Sequence, residues 1–321
     1  MWIDLVALLA GLVMLVYAAD LFINGTSSIA RNLGISPLLI GLTIVGLGTS
    51  APEILVSFFA ALQGNSGLAI GNALGSNIAN IGLILGVTAL IAPVAIHSRM
   101  LRRELPILLL TSVICYLLAF NGLSRLDGLF MLAALLIFMW WLVHTAQRER
   151  REDTFKIEIA HQLPAQIPLA KAWLLFAAGL IGLLVSSRLL VWAAVNIAAA
   201  FGVSDLVIGL TIVALGTSLP ELAASITSVL KKEDDLAVGN IIGSNMYNLL
   251  AVYSQPALLA PGAVAASVIQ RDFPVMLGLT GVLFVLGYGI GKTAKINRWE
   301  GFGLLTAYLL YQWVIYQSAA A

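Results

Sequence analysis

Charge is what this 321-residue chain lacks most. Asp, Glu, Lys and Arg make up only 10% of it, against 60% hydrophobic residues, where a soluble domain carries about 25% charged residues. So few charges cannot cover a water-facing surface. They fall in short clusters between long apolar runs, the pattern of a helical membrane protein. The short segments of alternating polarity that mark a membrane β-barrel are absent. Cysteine is nearly absent too: Cys115 stands alone within an apolar run. That excludes an intramolecular disulfide and a cysteine metal cluster, and Cys115 reads as packing. The three histidines, His97, His144 and His161, fall in or near loops, which argues against an imidazole relay through the core. No basic patch with interleaved aromatics points to nucleic acid. The first apolar segment, 3–23, lacks a basic n-region and is too long for the h-region of a signal peptide, so it reads as a transmembrane helix.

What is present is a run of ten apolar segments of spanning length, at about 3–28, 37–62, 67–92, 106–121, 126–145, 172–200, 205–230, 236–260, 272–290 and 300–317. Most connections are very short. The exception, 147–171, is charged and contains Pro164 and Pro168. It divides the chain into a first five-helix repeat, 1–146, and a second, 172–321. With the N-terminus placed outside, 14 of the 17 Lys and Arg residues fall in inward-facing loops, while Arg125 and Arg271 fall outside and Arg188 within a span. The positive-inside rule therefore predicts a multi-pass protein of the cell (inner) membrane, with both termini outside and a cytoplasmic linker. The fold class expected is an all-α polytopic membrane protein. Its ten transmembrane helices form two inverted five-helix repeats, with interrupted helices in the core.

Residues 41–80 and 209–248 align without a gap at a constant offset of 168, with 21 of 40 positions identical. Chance similarity between apolar segments would match Leu, Ile and Ala. Here Thr, Ser, Pro, Glu, Gly and Asn match. Because each half holds an odd number of spans, the second enters the membrane with opposite orientation. This is the inverted-repeat plan of many secondary transporters, with the site near mid-membrane. Duplication alone explains matched packing residues, but not matched polar residues that are costly to bury.

Glu53 and Glu221 lie deep within the second and seventh spans, where a carboxylate is expensive and is normally functional or paired. No Lys, Arg or His lies in those spans or in the bodies of the spans that follow. A bound cation is the simplest counter-charge, and protonation is the other. Gly48, Thr49, Ser50 and Pro52, with Gly216, Thr217, Ser218 and Pro220, interrupt the two helices. The carbonyls freed near 46–49 and 214–217 become available as oxygen ligands. Ser50-x-x-Glu53 and Ser218-x-x-Glu221 also fit capping boxes, so capping geometry is expected. Capping alone leaves two carboxylates in a bilayer unexplained. In the next spans Ser76 shares a helix face with Asn80, and Ser244 with Asn248. They read either as neutral ligands or as close-packing and interhelical hydrogen-bonding residues. Carboxylates with hydroxyls, amides and carbonyls make a hard, all-oxygen donor set, suited to Ca²⁺ or Na⁺ rather than zinc or copper.

At GTSAPE (48–53), GTSLPE (216–221) and the two GSN segments (75–77 and 243–245), the chain resembles the calcium/cation antiporter (CaCA) superfamily, and within it the YrbG-like bacterial sodium/calcium exchangers. The resemblance covers all ten spans. It implies that spans 2, 3, 7 and 8 form the ion-binding core and that spans 1 and 6 slide against it. It also implies a metal site in which Glu53 and Glu221 are shared central ligands and Thr49 and Thr217 contribute backbone carbonyls. Ser50, Ser76, Ser218 and Ser244 would line flanking sodium sites, with Asn80 and Asn248 completing the middle. Asn248 departs from the pattern, because some relatives carry Asp there. Proton/calcium exchangers of the superfamily carry G-N-x-x-E in place of GTSxPE, which favours sodium here.

The expected function is secondary active cation antiport: Na⁺/Ca²⁺ exchange by alternating access, the two ions competing for Glu53 and Glu221. H⁺-coupled Ca²⁺/cation antiport is the alternative, with K⁺ as a further candidate ion. A passive channel fits tight carboxylate sites less well. An intramembrane enzyme lacks a core His or Lys to activate Ser50 or Ser218, so no enzyme activity and no cofactor are expected. The bilayer is the expected surrounding; oligomeric state is not encoded legibly. Asp20 and Arg188 share the 168 offset, but inverted symmetry puts them at opposite depths, so local hydrogen bonding or snorkelling is expected in place of an ion pair. Trp140, Trp141, Trp299 and Trp313 fit interfacial belts.

Overall fold

The computed structural model describes residues 2–96, 101–152, 167–201, 214–288 and 295–320. His97 and His161, most of the linker, and the start of the seventh span lie outside them. Among the described residues the ten segments are all helical. They are α1 (Trp2–Leu33), the bent pair α2 (Pro37–Thr49) and α3 (Ala51–Leu62), α4 (Ser66–Ile91), α5 (Leu101–Ala119) and α6 (Arg125–Glu152). The second half adds α7 (Leu169–Ala200), α8 (Ala214–Thr217) with α9 (Leu219–Leu230), α10 (Asp234–Tyr247) leading to α11 (Ser254–Leu259), α12 (Val268–Tyr288) and α13 (Arg298–Ala320). Five described helices are long and apolar enough to cross a bilayer alone, six if the bent pair counts as one. The others fall short for local reasons: α5 opens on Arg102, Arg103 and Glu104, and α10 opens on Asp234 and Asp235 and is studded with Asn and Ser.

The connections sort into two ends. At one, Val94–Ala95 pairs antiparallel with Lys295–Ile296, the Ala95 N–H donates to Asp234, and Asn32 donates to the carbonyl of Ile167. At the other, Leu123 bridges Gly262, and Ser66 donates to the carbonyl of Ala260 at 2.7 Å. Among the described residues, loops after odd-numbered spans gather at the first end and those after the second, fourth and eighth spans at the second, as alternating crossings require. The first end carries Arg31, Lys231, Lys295 and Arg298.

The orientation of the halves is visible in helix pairing. Along the α1–α7 contact Gly11 faces Leu190, Ala18 faces Gly182 and Gly25 faces Phe176, so numbers rise on one helix as they fall on the other. Spans 1 and 6 are antiparallel, as equivalent spans of an inverted repeat must be. Glycine makes this approach: a Cβ on Gly25 would lie 2.8 Å from the Phe176 Cα, and one on Gly179 would collide with the backbone of Phe22. In the core, α2 runs alongside α10 in parallel, Gly41 against Gly239 and Gly46 against Gly243. The close-packing reading of the GSN glycines therefore holds at Gly243.

Asp20 accepts locally from Asn24 at 3.0 Å, as expected, but it also forms an ion pair, with Lys231 at 2.6 Å, which the sequence reading did not foresee. Trp140, Trp299 and Trp313 are exposed, whereas Trp141 is half-buried against the core. Cys115 is buried with its thiol toward the Leu249 carbonyl.

Candidate functional site

The two broken helices meet head to head. The chain turns at Ser50 (φ −80°, ψ 4°) and again at Ser218 (φ −90°, ψ 3°), with a 46° bend between α2 and α3. Pro52 and Pro220, in the first turns of α3 and α9, have no N–H to return to the preceding segment. Glu53 and Glu221 each follow one residue later and are buried, at 1% and 2% exposure.

The capping boxes expected from sequence do not form, because neither Ser50 nor Ser218 caps its helix through its side chain. The Ser50 Oγ donates across the repeat boundary to Glu221 Oε1 at 3.3 Å. A carboxylate competes better for a hydroxyl proton than an amide does for its oxygen. The Thr49 hydroxyl also lies beside Glu221, and the Thr217 hydroxyl beside Glu53. Each carboxylate thus faces hydroxyls of the opposite repeat, and the two lie within electrostatic reach of each other. Their Oε2 atoms are buried and accept no hydrogen bond within the protein.

The elements packed on this pair carry neutral oxygens. Asn80 and Asn248 each open a π-helical turn, Asn80–Leu85 and Asn248–Val252. Such turns disturb the regular ladder and are frequent at functional sites. The turn at Asn80 packs on α9, the helix of Glu221, and the turn at Asn248 packs on α3, the helix of Glu53. Asn80 Nδ2 donates to Asn245 Oδ1 at 3.0 Å. Asn248 Oδ1 and Ser244 Oγ are buried and unpartnered. Thr49, Ser50, Ser76, Ser218 and Ser244 are buried, and Thr217 is half-buried. All ten residues singled out from sequence lie on the elements that build this junction.

One expected carbonyl is already occupied. Gly216 O, released by Pro220, accepts from the Ser187 hydroxyl of α7. The equivalent position on α1 is Ala19, so Gly48 O has no matching donor there. No cluster of three or more His, Cys, Asp or Glu side chains suited to a metal exists among the described residues. With two carboxylates, the site has enough charge for one divalent ion or two monovalent ions, and its remaining donors are neutral.

Sequence reasoning missed Asn72, Asn240, Ser57 and Ser225. Asn72 Nδ2 donates to Ser57 Oγ at 2.9 Å and to Glu53 O at 3.0 Å. Asn240 Nδ2 donates to Ser225 Oγ at 3.3 Å, and its Oδ1 accepts from Thr49 at 3.1 Å. The 168 offset already marked both pairs as identical.

The family model described as sodium/calcium exchanger protein matches residues 3–144 and 171–317. The chain is 48% identical to a putative antiporter, CaxA, of Alkalimonas amylolytica over 99% of its own length and 100% of that protein. It is 44% identical to the inner membrane protein YrbG of Escherichia coli over 87% of this chain and 86% of that one. A solved structure of the sodium-calcium exchanger NCX_Mj, soaked with 2.5 mM Na⁺ and 0.1 mM Ca²⁺, aligns with a TM-score of 0.82 and 33% identity. It covers 96% of this chain and 97% of that one. A family match over both halves, joined to a shared ten-helix fold, places this chain in the sodium/calcium exchanger family of membrane cation antiporters.

Proposed function

We propose that this protein exchanges Na⁺ for Ca²⁺, the two ions competing for Glu53 and Glu221. The observation that carries the reading is the pair of unpartnered Oε2 atoms on two buried carboxylates supplied by opposite repeats. A buried anion needs a counter-charge, and two carboxylates match one Ca²⁺ or two Na⁺. Asn80, Asn248, Ser50, Ser76, Ser218, Ser244 and the carbonyls of Thr49 and Thr217 complete an oxygen donor set that suits these ions.

Access alternates by movement of the α1–α7 pair. The repeats are equivalent, so α1 on α9 should have a twin in α7 on α3. The structure breaks that symmetry. Both α1 and α7 pack on α9, while neither makes comparable packing against α3 among the described residues. With the basic end cytoplasmic, α9 belongs to the inner half of its span and α3 to the outer half. Among the described residues the pair is therefore docked on the inner-half helix α9 and leaves the outer-half helix α3 without equivalent packing. In this reading both termini face outside the inner membrane, 147–171 is cytoplasmic, and 1–146 and 172–321 are the two repeats.

The test is flux in proteoliposomes with Ca²⁺, Na⁺, K⁺ and pH varied one at a time. Ca²⁺ uptake driven by an outward Na⁺ gradient at equal pH is the expected result. Uptake that follows a pH gradient and ignores Na⁺ would replace sodium by proton coupling. Uptake with no counter-ion on the far side would make the protein a channel.

A further inference from the structure

Resting on the cation-exchange reading, we propose that Asn72 and Asn240 are positioning residues that hold the two carboxylate-bearing turns at the separation a divalent ion requires. They sit at equivalent places, each with a serine one helical turn beyond a glutamate: Ser57 after Glu53, and Ser225 after Glu221. Each asparagine donates to its serine, stitching the second half of a broken helix to the span that follows. Ser57 passes the link on by donating to the Ala69 carbonyl at 3.3 Å. Asn240 on α10 is 1% exposed, and Asn72 on α4 is half-buried.

The second contact of each amide reaches the ion-binding layer itself. Asn72 holds the carbonyl of Glu53, and so fixes the backbone from which that carboxylate projects. Asn240 accepts from Thr49 of the opposite repeat, whose hydroxyl lies beside Glu221, and so orients that hydroxyl. Neither asparagine contacts a carboxylate group, so each acts through another residue. An amide suits the position because it donates and accepts at one planar group. Aspartate would lose the donation to serine and add charge beside two carboxylates. A ring of neutral, satisfied hydrogen bonds rigidifies the layer without taking up the ligand oxygens. Rigid spacing discriminates among cations through cavity size and ligand flexibility.

The experiment uses the full chain with Asn72→Ala, Asn240→Ala, Ser57→Ala and Ser225→Ala. In purified protein, thermal melting is followed against added Ca²⁺ and, separately, Na⁺, since a bound ion stabilises the folded state by an amount that grows with the logarithm of its concentration over Kd. In liposomes, exchange is measured as half-saturation and maximal rate. Both asparagine variants are expected to raise the Ca²⁺ midpoint about tenfold, the effect of deleting a buried polar partner. The maximal rate should stay within roughly twofold, the error of such comparisons. Each serine variant should shift the midpoint the same way by less, and Asn240→Ala with Ser225→Ala should be no worse than Asn240→Ala alone. If an asparagine variant fails to fold, its serine partner carries the test. Unchanged midpoints in every folded variant, with melting temperatures lowered equally at all Ca²⁺ concentrations, would reduce the network to ordinary packing and overturn the proposal. Failure of the exchange reading looks different: the wild type would bind Ca²⁺ in the melt yet show no Na⁺-driven flux.

Discussion

The Ser50 hydroxyl of the first repeat donates to the Glu221 carboxylate of the second, at 3.3 Å. The hydroxyl that also fitted a cap of its own helix instead reaches a buried carboxylate of the other repeat. A hydrogen bond to a charged group contributes about 1.5–3 kcal/mol. Ser50→Ala is therefore expected to weaken cation binding about tenfold or more, with little loss of helix stability, because no cap is removed. A half-saturation measurement for Ca²⁺ and a melting curve in ion-free buffer check the two halves of that statement. A lowered ion-free melting temperature with unchanged half-saturation would restore the capping role.

Glu53→Gln and Glu221→Gln should each abolish Ca²⁺ transport while leaving the protein folded. Removing one member of a buried charge-paired set costs about 3–5 kcal/mol of interaction, or roughly a hundredfold to several thousandfold in affinity. In ion-free buffer the direction reverses. The Oε2 atoms accept no hydrogen bond from the protein, so neutralising one carboxylate relieves repulsion, and each variant should melt no lower than the wild type. Normal exchange by either variant would remove that glutamate from the site.

Asn248→Asp tests the neutrality of the second repeat. Asn248 Oδ1 is buried and unpartnered, and its π-helical turn packs against the helix that carries Glu53. A third carboxylate there would face two others with no cation of the protein to match it. The variant should lose stability in ion-free buffer and gain a larger Ca²⁺-induced rise in melting temperature. A Ca²⁺-induced rise equal to that of the wild type would place residue 248 away from the ion.

Much of this architecture could be read before any coordinates. Ten apolar runs gave the crossings, and the 168-residue offset gave the inversion that the antiparallel α1–α7 contact now displays. Glu53 and Glu221 were legible because a membrane makes an unpaired carboxylate conspicuous. The partners of each hydroxyl were not. Whether Ser50 turns back on its own helix or across to Glu221 depends on how two segments 168 residues apart approach, and local sequence carries no such distance. Asn72 and Asn240 escaped for a related reason. An asparagine in an apolar helix looks like generic interhelical glue, and only the serine that it reaches on another span gives it a role. The fate of Gly216 O was hidden as well, because its donor Ser187 is on α7 and has no twin at Ala19.

The last prediction concerns the closed side. Two ion pairs tie α1 to the turn between α9 and α10: Lys231 with Asp20 at 2.6 Å, and Arg31 with Glu233 at 2.8 Å. Lys231 also donates to Asn24 at 2.8 Å. The positions equivalent by symmetry are Gln63, Arg188, Asn65 and Ala199, and no such pairs can form among them. The repeat is symmetric in its ligands and asymmetric in its latch. These pairs are partly exposed, and such contacts are worth about 0.2–1 kcal/mol each. Together they bias the equilibrium toward the state with its inner half covered by about twofold to thirtyfold. Lys231→Ala combined with Arg31→Ala should therefore lower half-saturation for Ca²⁺ applied to the cytoplasmic face and raise it at the outer face. Apparent affinity follows the population of the state open to each side. Exchanging the charges at 20 and 231 (Asp20→Lys with Lys231→Asp) should return both values toward the wild type. Oriented vesicles, inside-out and right-side-out, give the two measurements. A parallel change at both faces would mean that the pairs act on the ion site itself and not on the balance between its two openings.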